Sequence, residues 1–161
     1  MPLGQGVSVV DLAYLAGFFD GEGSVMLQSV RFGRAVPSHR LAIVVDNTAE
    51  HALLRFACAF GGSVIRIRPS RANQRGHFRW TASDRRAEAV LRALLPHLHV
   101  KRDQADVALL FRATVCRRGS CRPPQDVLNR RSELVARIHQ LNARGVGAAL
   151  RCLSVPAVSV S

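Results

Sequence analysis

The stretch from Leu15 to Gly23 reads Leu-Ala-Gly-Phe-Phe-Asp-Gly-Glu-Gly, a helical pattern that closes on two acids set between glycines. Upstream, Ser8 is placed to cap the helix, and Asp11 three residues on completes a variant of the capping box. Leu12, Leu15, Ala16 and Phe19 recur at i, i+3, i+4 and i+7, which marks one apolar face. Ala13, Gly17 and Gly21 follow at four-residue spacing. This second stripe carries almost no side chain, so another backbone can approach it closely. Asp20 and Glu22 fall at the C-terminal end that Gly23 closes, where the helix dipole disfavours negative charge by a few tenths to about 1 kcal/mol. A metal ion would account for two acids in that unfavourable place, beside a surface built for close packing.

At 161 residues the chain fits a single domain, 1–161, large enough to bury a substantial core. Its 23 basic against 11 acidic residues give a formal net charge of +12, while 48% of residues are hydrophobic. That is the composition of a packed protein with a strongly positive surface, and the fitting partner is a polyanion, most simply nucleic acid. No segment approaches the roughly 18 uninterrupted apolar residues of a membrane span. The N-terminus lacks a basic region, and Asp11 and Asp20 interrupt its apolar run, so neither a membrane partner nor secretion is expected. The expected location is the cytoplasm of a bacterium or archaeon, or an organelle.

Cys58, Cys116, Cys121 and Cys152 are scattered and read as reduced thiols. Cys116 and Cys121 lack a second ligand pair at zinc spacing, and His97-x-His99 reads as a turn. Lys101 is the only lysine in a chain with 22 arginines. It marks a position suited to a compact point charge whose pKa can shift, which a planar guanidinium does not supply.

Along the chain, Ser24 to Phe32 and Arg40 to Asp46 alternate as strands, joined through Gly33 to His39 with its turn-forming Pro37. Thr48 is expected to cap a helix to Phe60 with Leu53, Leu54, Phe56, Ala57 and Phe60 inward, stopped by Gly61-Gly62. Val64 to Arg68 and Gly76 to Ala82 form a second strand pair. Val64, Arg66 and Arg68 are expected to point one way and Ile65 and Ile67 the other, with Arg66, Arg68 and Arg79 on one solvent-facing surface. Helices follow from Ser83 or Asp84 to Leu95, from about Lys101 to Thr114 with Ala105, Ala108, Leu109 and Phe111 inward, and from about Asp126 to Asn142. The tail 143–161 is short and apolar. The order α-β-β-α-β-β-α-α-α gives an α+β fold with helices on one face of an antiparallel sheet and the other face basic.

Leu15 to Gly23 resembles the signature of the LAGLIDADG homing endonucleases, and the αββαββα order is similar to their core. Lys101 to Ala105, Lys-Arg-Asp-Gln-Ala, is similar to the family's Lys-x-x-Gln-Ala at the start of the helix after that core. The resemblance spans about residues 8–142. It implies a single-motif homodimer that cuts double-stranded DNA at a long, pseudo-palindromic site with Mg²⁺ (or Mn²⁺), encoded in an intron or by a free-standing gene. It further implies that Glu22 holds the metal together with the backbone carbonyl of Gly21. Asp20 is then structural, and Lys101 lies near the scissile phosphate as the second catalytic residue. The motif helices of two copies would pack through Ala13, Gly17 and Gly21.

Elementary chemistry agrees: phosphodiester hydrolysis requires an activated water and charge stabilisation, which a divalent cation on hard oxygen ligands provides. The resemblance also places the open sheet face in the major groove, with Gln28, Arg34, His39, Arg40, Asp46, Arg66, Arg68, His77 and Arg79 at reading positions. Arginine suits guanine and glutamine adenine. Arg117, Arg118 and Arg122 are expected on phosphates. By the same resemblance, Ala49 and Leu53 fall where some members carry polar, solvent-ordering residues. This departure motivates a second reading of the same fold, as a catalytically weak or silent DNA-binding regulator or RNA maturase.

Overall fold

The computed structural model describes residues 6–30, 38–69, 76–115 and 123–144. Ser8 caps α1 (Val9–Glu22): its Oγ accepts the Asp11 N–H at 3.1 Å and donates to the Asp11 carboxylate at 2.6 Å. Gly23 begins β1 (Gly23–Val30) with an extended backbone open to any residue. What excludes a side chain there is Phe19, because a Cβ on Gly23 would stand 2.4 Å from its ring and 2.6 Å from its carbonyl oxygen.

The chain continues through β2 (Ser38–Asn47), α2 (Glu50–Phe60), β3 (Val64–Ile67), β4 (His77–Ser83) and α3 (Asp84–Leu94). Pro96 turns the end of α3 into a short 3₁₀ turn, Leu95–His97, and α4 (Arg102–Ala113) and α5 (Gln125–Arg144) complete the described elements. The strands form one antiparallel sheet in the order β1-β2-β4-β3. The α+β architecture and the element order are those the sequence predicts.

Trp80 organises the covered face of the sheet. It is fully buried, pairs across the sheet with Val45 and Val64, packs on Phe56 at 5.2 Å between ring centroids, and donates from Nε1 to the Gly61 carbonyl at 3.0 Å. The Gly61-Gly62 stop fits closely around it: both residues have positive φ, and a Cβ on Gly62 would lie 3.2 Å from the indole nitrogen. Leu15, Ala16 and Phe19 of α1 join the same core, together with residues of α2, α3, α4 and α5.

Several local expectations are corrected. Thr48 does not cap α2; Asn47 Oδ1 instead takes the Ala49 N–H at 2.8 Å, and Ala49 occupies the cap position. Leu54 is 46% exposed and Ala52 is buried in its stead, because the rings of Phe56 and Phe60 against Trp80 fix the helix phase. Leu109 is only half-buried, while Ala105, Ala108 and Phe111 face inward as expected.

Arg66 and Arg79 do not share a sheet face. Arg79 lies opposite Ile65, whereas Arg66 lies opposite Phe78, on the face carrying Trp80 and Val64. The apolar residue that β3 turns to the core is Val64, and Ile65 is left 49% exposed. Arg68 lies beyond the end of β3 and is exposed.

Replacing Gly23 by alanine forces the new Cβ into Phe19 and is expected to lower stability by about 1–3 kcal/mol. The measurement is the midpoint of denaturant unfolding; a Gly23→Ala chain that unfolds with the parent overturns the steric account.

Candidate active site and nucleic-acid interface

The last turn of α1 meets the turn that precedes α4. The Asp20 carboxylate accepts three consecutive backbone N–H groups, from His99 at 2.8 Å, Val100 at 3.1 Å and Lys101 at 2.9 Å. In return the Lys101 ammonium donates to the Asp20 carbonyl, one of the helix-end carbonyls that α1 cannot satisfy internally. The bonding is reciprocal and joins segments about 80 residues apart in sequence. It assigns Asp20 a structural task. It also brings Lys101, from the Lys-x-x-Gln-Ala segment, to the C-terminal end of the Leu15 to Gly23 motif, and places His99 in a turn.

Lys101 is partly buried, and burial holds its ammonium below the ordinary lysine range against the opposing pull of Asp20 and Glu22. Glu22 is exposed, and no described residue hydrogen-bonds its carboxylate. Gly21 is exposed as well, and a Cβ there would meet nothing within 4 Å. Among the described residues no group of three or more His, Cys, Asp or Glu could hold a metal ion. One chain therefore offers a free carboxylate and a helix-end carbonyl, both hard oxygen donors. That set fits an ion of the Mg²⁺ type, which takes one or two protein carboxylates and completes its shell with substrate phosphates and water.

The sheet register sorts the residues assigned to DNA reading. Gln28, Arg40, Asp46, His77 and Arg79 share the open face. Arg40 reaches Gln28 Oε1 through Nε and Nη2, each at 3.4 Å. Arg79 binds Asp46 far more tightly, Nε to Oδ1 and Nη2 to Oδ2 at 2.7 Å each, and His77 Nε2 lies 3.9 Å from Asp46 Oδ1. His39 falls on the opposite face with Ser29, near α5, where burial and His139 hold its imidazole below the ordinary range. Arg66 is on the same side as Trp80, but at the edge strand it is exposed, as expected. Arg34, Arg117, Arg118, Arg122, Cys116, Cys121 and Cys152 lie outside the described residues.

Ile65 and Thr81 belong to the open face and were not among the expected site residues. The signal for them is Trp80, the only tryptophan. Once it is assigned to the core, every second residue of β4 and its partners must face away. On the opposite side of the motif helix, Ala13, Gly17 and Gly21 are exposed, beside Val10 at 79% and Tyr14 at 43%. The Tyr14 ring carries the Arg55 guanidinium 4.7 Å from its centroid. Leu53 is fully buried in the core face of α2, so the absence of a polar side chain there reflects packing.

Because Lys101 is the sole lysine, its ammonium gives a single signal in a chain carrying isotope-labelled lysine. It is expected to titrate below 10.5, and Glu22→Gln, which removes an attraction, should lower the midpoint further. The folded state then holds fewer protons than the unfolded one between the lowered value and 10.5, so this group makes stability rise with pH across that window. A midpoint at or above the ordinary value overturns the description of the site.

No family model and no curated protein sequence matches this chain. Solved structures do. The homing endonuclease I-CvuI in complex with its target in the presence of calcium is 23% identical, with 82% of each chain covered and a TM-score of 0.61. The archaeal intron-encoded homing endonuclease I-Vdi141I complexed with DNA is 15% identical over 82% of this chain and 84% of its own, at a TM-score of 0.67. The LAGLIDADG homing endonuclease I-GzeII in complex with a DNA target is 12% identical at a TM-score of 0.65; the match takes 93% of this chain but 53% of that one. The helix that carries Leu15 to Gly23, the sheet it leads into and the helices behind that sheet together make the LAGLIDADG homing endonuclease fold.

Proposed function

We propose that this chain is a site-specific endonuclease that hydrolyses double-stranded DNA as a metal-dependent homodimer. The observation that carries the reading is the end of α1, where Asp20 is wholly engaged in anchoring Lys101 while Glu22, two residues on, has no described hydrogen-bond partner. Glu22 and the Gly21 carbonyl would hold Mg²⁺ or Mn²⁺, which when bound supplies an activated water and charge stabilisation for in-line displacement at phosphorus. Lys101 is a fixed, partly desolvated cation and serves to stabilise the charge that develops on the phosphate. Glu22 leads directly into β1, so the same strand connects the cutting end to the sheet face that carries Gln28, Arg40, Asp46, His77 and Arg79.

One chain supplies one Glu22, and cutting both strands of a duplex takes two. The exposed stripe of α1 accommodates a second copy: it is apolar, it has small residues at the contact positions, and the opposite side of the same helix is already in the core. An isologous pair about that stripe brings two Glu22 carboxylates together and reads a pseudo-palindromic site. The match to I-GzeII, which places nearly all of this chain on about half of a longer one, supports the same arithmetic.

Glu22→Gln is expected to reduce cleavage of a selected target to about one hundredth of the parent rate or less, with duplex binding retained. A variant that cuts at the parent rate removes Glu22 from the chemistry, and a parent protein that binds but never nicks DNA in Mg²⁺ or Mn²⁺ favours the silent binding reading. Gly17→Leu, which places a branched side chain in the stripe, should convert the dimer to a species of 17.6 kDa in sedimentation equilibrium. If the parent is already monomeric at micromolar concentration on DNA, the dimer is wrong.

A further inference from the structure

Asp46 and Arg79 stand directly opposite each other across β2 and β4 and meet side-on. Short, paired, charge-assisted bonds of this kind fix the plane of the guanidinium. They also leave a defined remainder. Of five guanidinium N–H donors, Asp46 takes the one on Nε and one on Nη2. Among the described residues nothing takes either hydrogen of Nη1 or the second of Nη2. One from each nitrogen forms a parallel fork at the far end of the group, and a parallel fork is what the O6 and N7 of guanine accept in the major groove.

The surroundings favour a base edge over a phosphate. The ion pair is formally neutral, so it adds little to the attraction for a polyanion, whereas a phosphate contact is best served by an arginine with its charge uncompensated. Ile65, opposite Arg79 on the same face, is half-exposed and offers apolar contact to a base. Both members of the pair are themselves a little over one-third exposed, 38% and 36%, so the fork is reachable while its stem is held. Arg40 makes the comparison: its two contacts to Gln28 are long, share one neutral oxygen and leave the guanidinium free to re-aim.

We infer that Asp46 is a positioning residue, which holds Arg79 side-on so that its free fork reads one guanine, and that this pair sets base specificity at one position of each half-site. The inference rests on the DNA reading proposed above. In this role Asp46 acts through Arg79, to which each of its oxygens is bonded.

The test begins with selection of randomised duplexes by the full-length parent in Ca²⁺, followed by binding measurements on the consensus and each single-base variant of it. Asp46→Ala and Arg79→Lys, each checked for a parent-like circular dichroism spectrum, are expected to lose discrimination for guanine at the same position by about ten-fold or more, with preferences elsewhere unchanged. Arg79→Lys keeps the charge and removes the fork, so its agreement with Asp46→Ala separates orientation from charge. The inference is overturned if Asp46→Ala strengthens binding to all sequences alike and steepens the salt dependence, the behaviour of a released phosphate contact, or if neither variant alters any position. A parent that selects no duplex at all overturns the DNA reading itself.

Discussion

The junction between the end of α1 and the start of α4 depends on one carboxylate. Asp20 sits at the C-terminal end of α1, where the dipole opposes it, yet it collects the N–H groups of residues 99, 100 and 101. Each such charge-assisted bond is roughly twice as strong as a neutral one, so three together outweigh a dipole penalty of about 1 kcal/mol or less. The consequence reaches beyond local satisfaction. The start of α4 is held against the end of α1, and the only lysine in the chain is delivered to the carbonyl of the residue that anchors it.

A second constraint is the parity of the sheet. Trp80 has to be buried, and its indole N–H requires a partner, which Gly61 provides. With that ring on the helix side, Val45 and Val64 follow it inward, and Asp46, Arg79 and Ile65 are turned to the open side. A slip of one residue in either pairing would invert the whole set. The tight β2 to β4 ion pair therefore exists because a tryptophan next to it in sequence belongs to the core.

Much of this was legible in the residues. The capping pair Ser8 and Asp11, the apolar face of α1, the glycine stops and the order of strands and helices are local signals with local causes, and the structure reproduces them. What escaped is of a different kind. Alternation within β3, Val64 and Arg66 against Ile65 and Ile67, agrees with the register, but one strand's alternation does not say on which face Arg79 lies. Its partner β4 decides, and pairing is long-range information. Thr48 lost the cap to Asn47 because an Asx turn one residue earlier closes the same gap. His39 reads as an ordinary polar strand residue until its register with Ser29 puts it beneath α5. The resemblance implies a structural Asp20, but its partners were beyond sequence reasoning, since nothing at position 20 announces 99–101.

The distribution of acids bears on Glu22 independently of any motif. Against a net charge of +12, the described acids are almost all accommodated. Asp11 has Ser8 and Arg55, Asp46 has Arg79, Asp84 and Glu88 share Arg112, and Glu133 has Arg130. Glu50, Asp103 and Asp126 occupy the first turns of α2, α4 and α5, where the dipole welcomes them. Asp106 is exposed in the body of α4, where the helix ends exert little field. Glu22 alone combines an unfavourable helix end with no described bonding partner, and it does so in the last turn, among carbonyls that the helix leaves unsatisfied. That end of the helix gathers oxygen lone pairs and negative charge in a protein otherwise strongly positive. Lys101 meets part of that demand from the Asp20 side, through the carbonyl it already binds. On the side of Gly21 and Glu22 no described group does the same, and the metal role proposed for that pair rests on this.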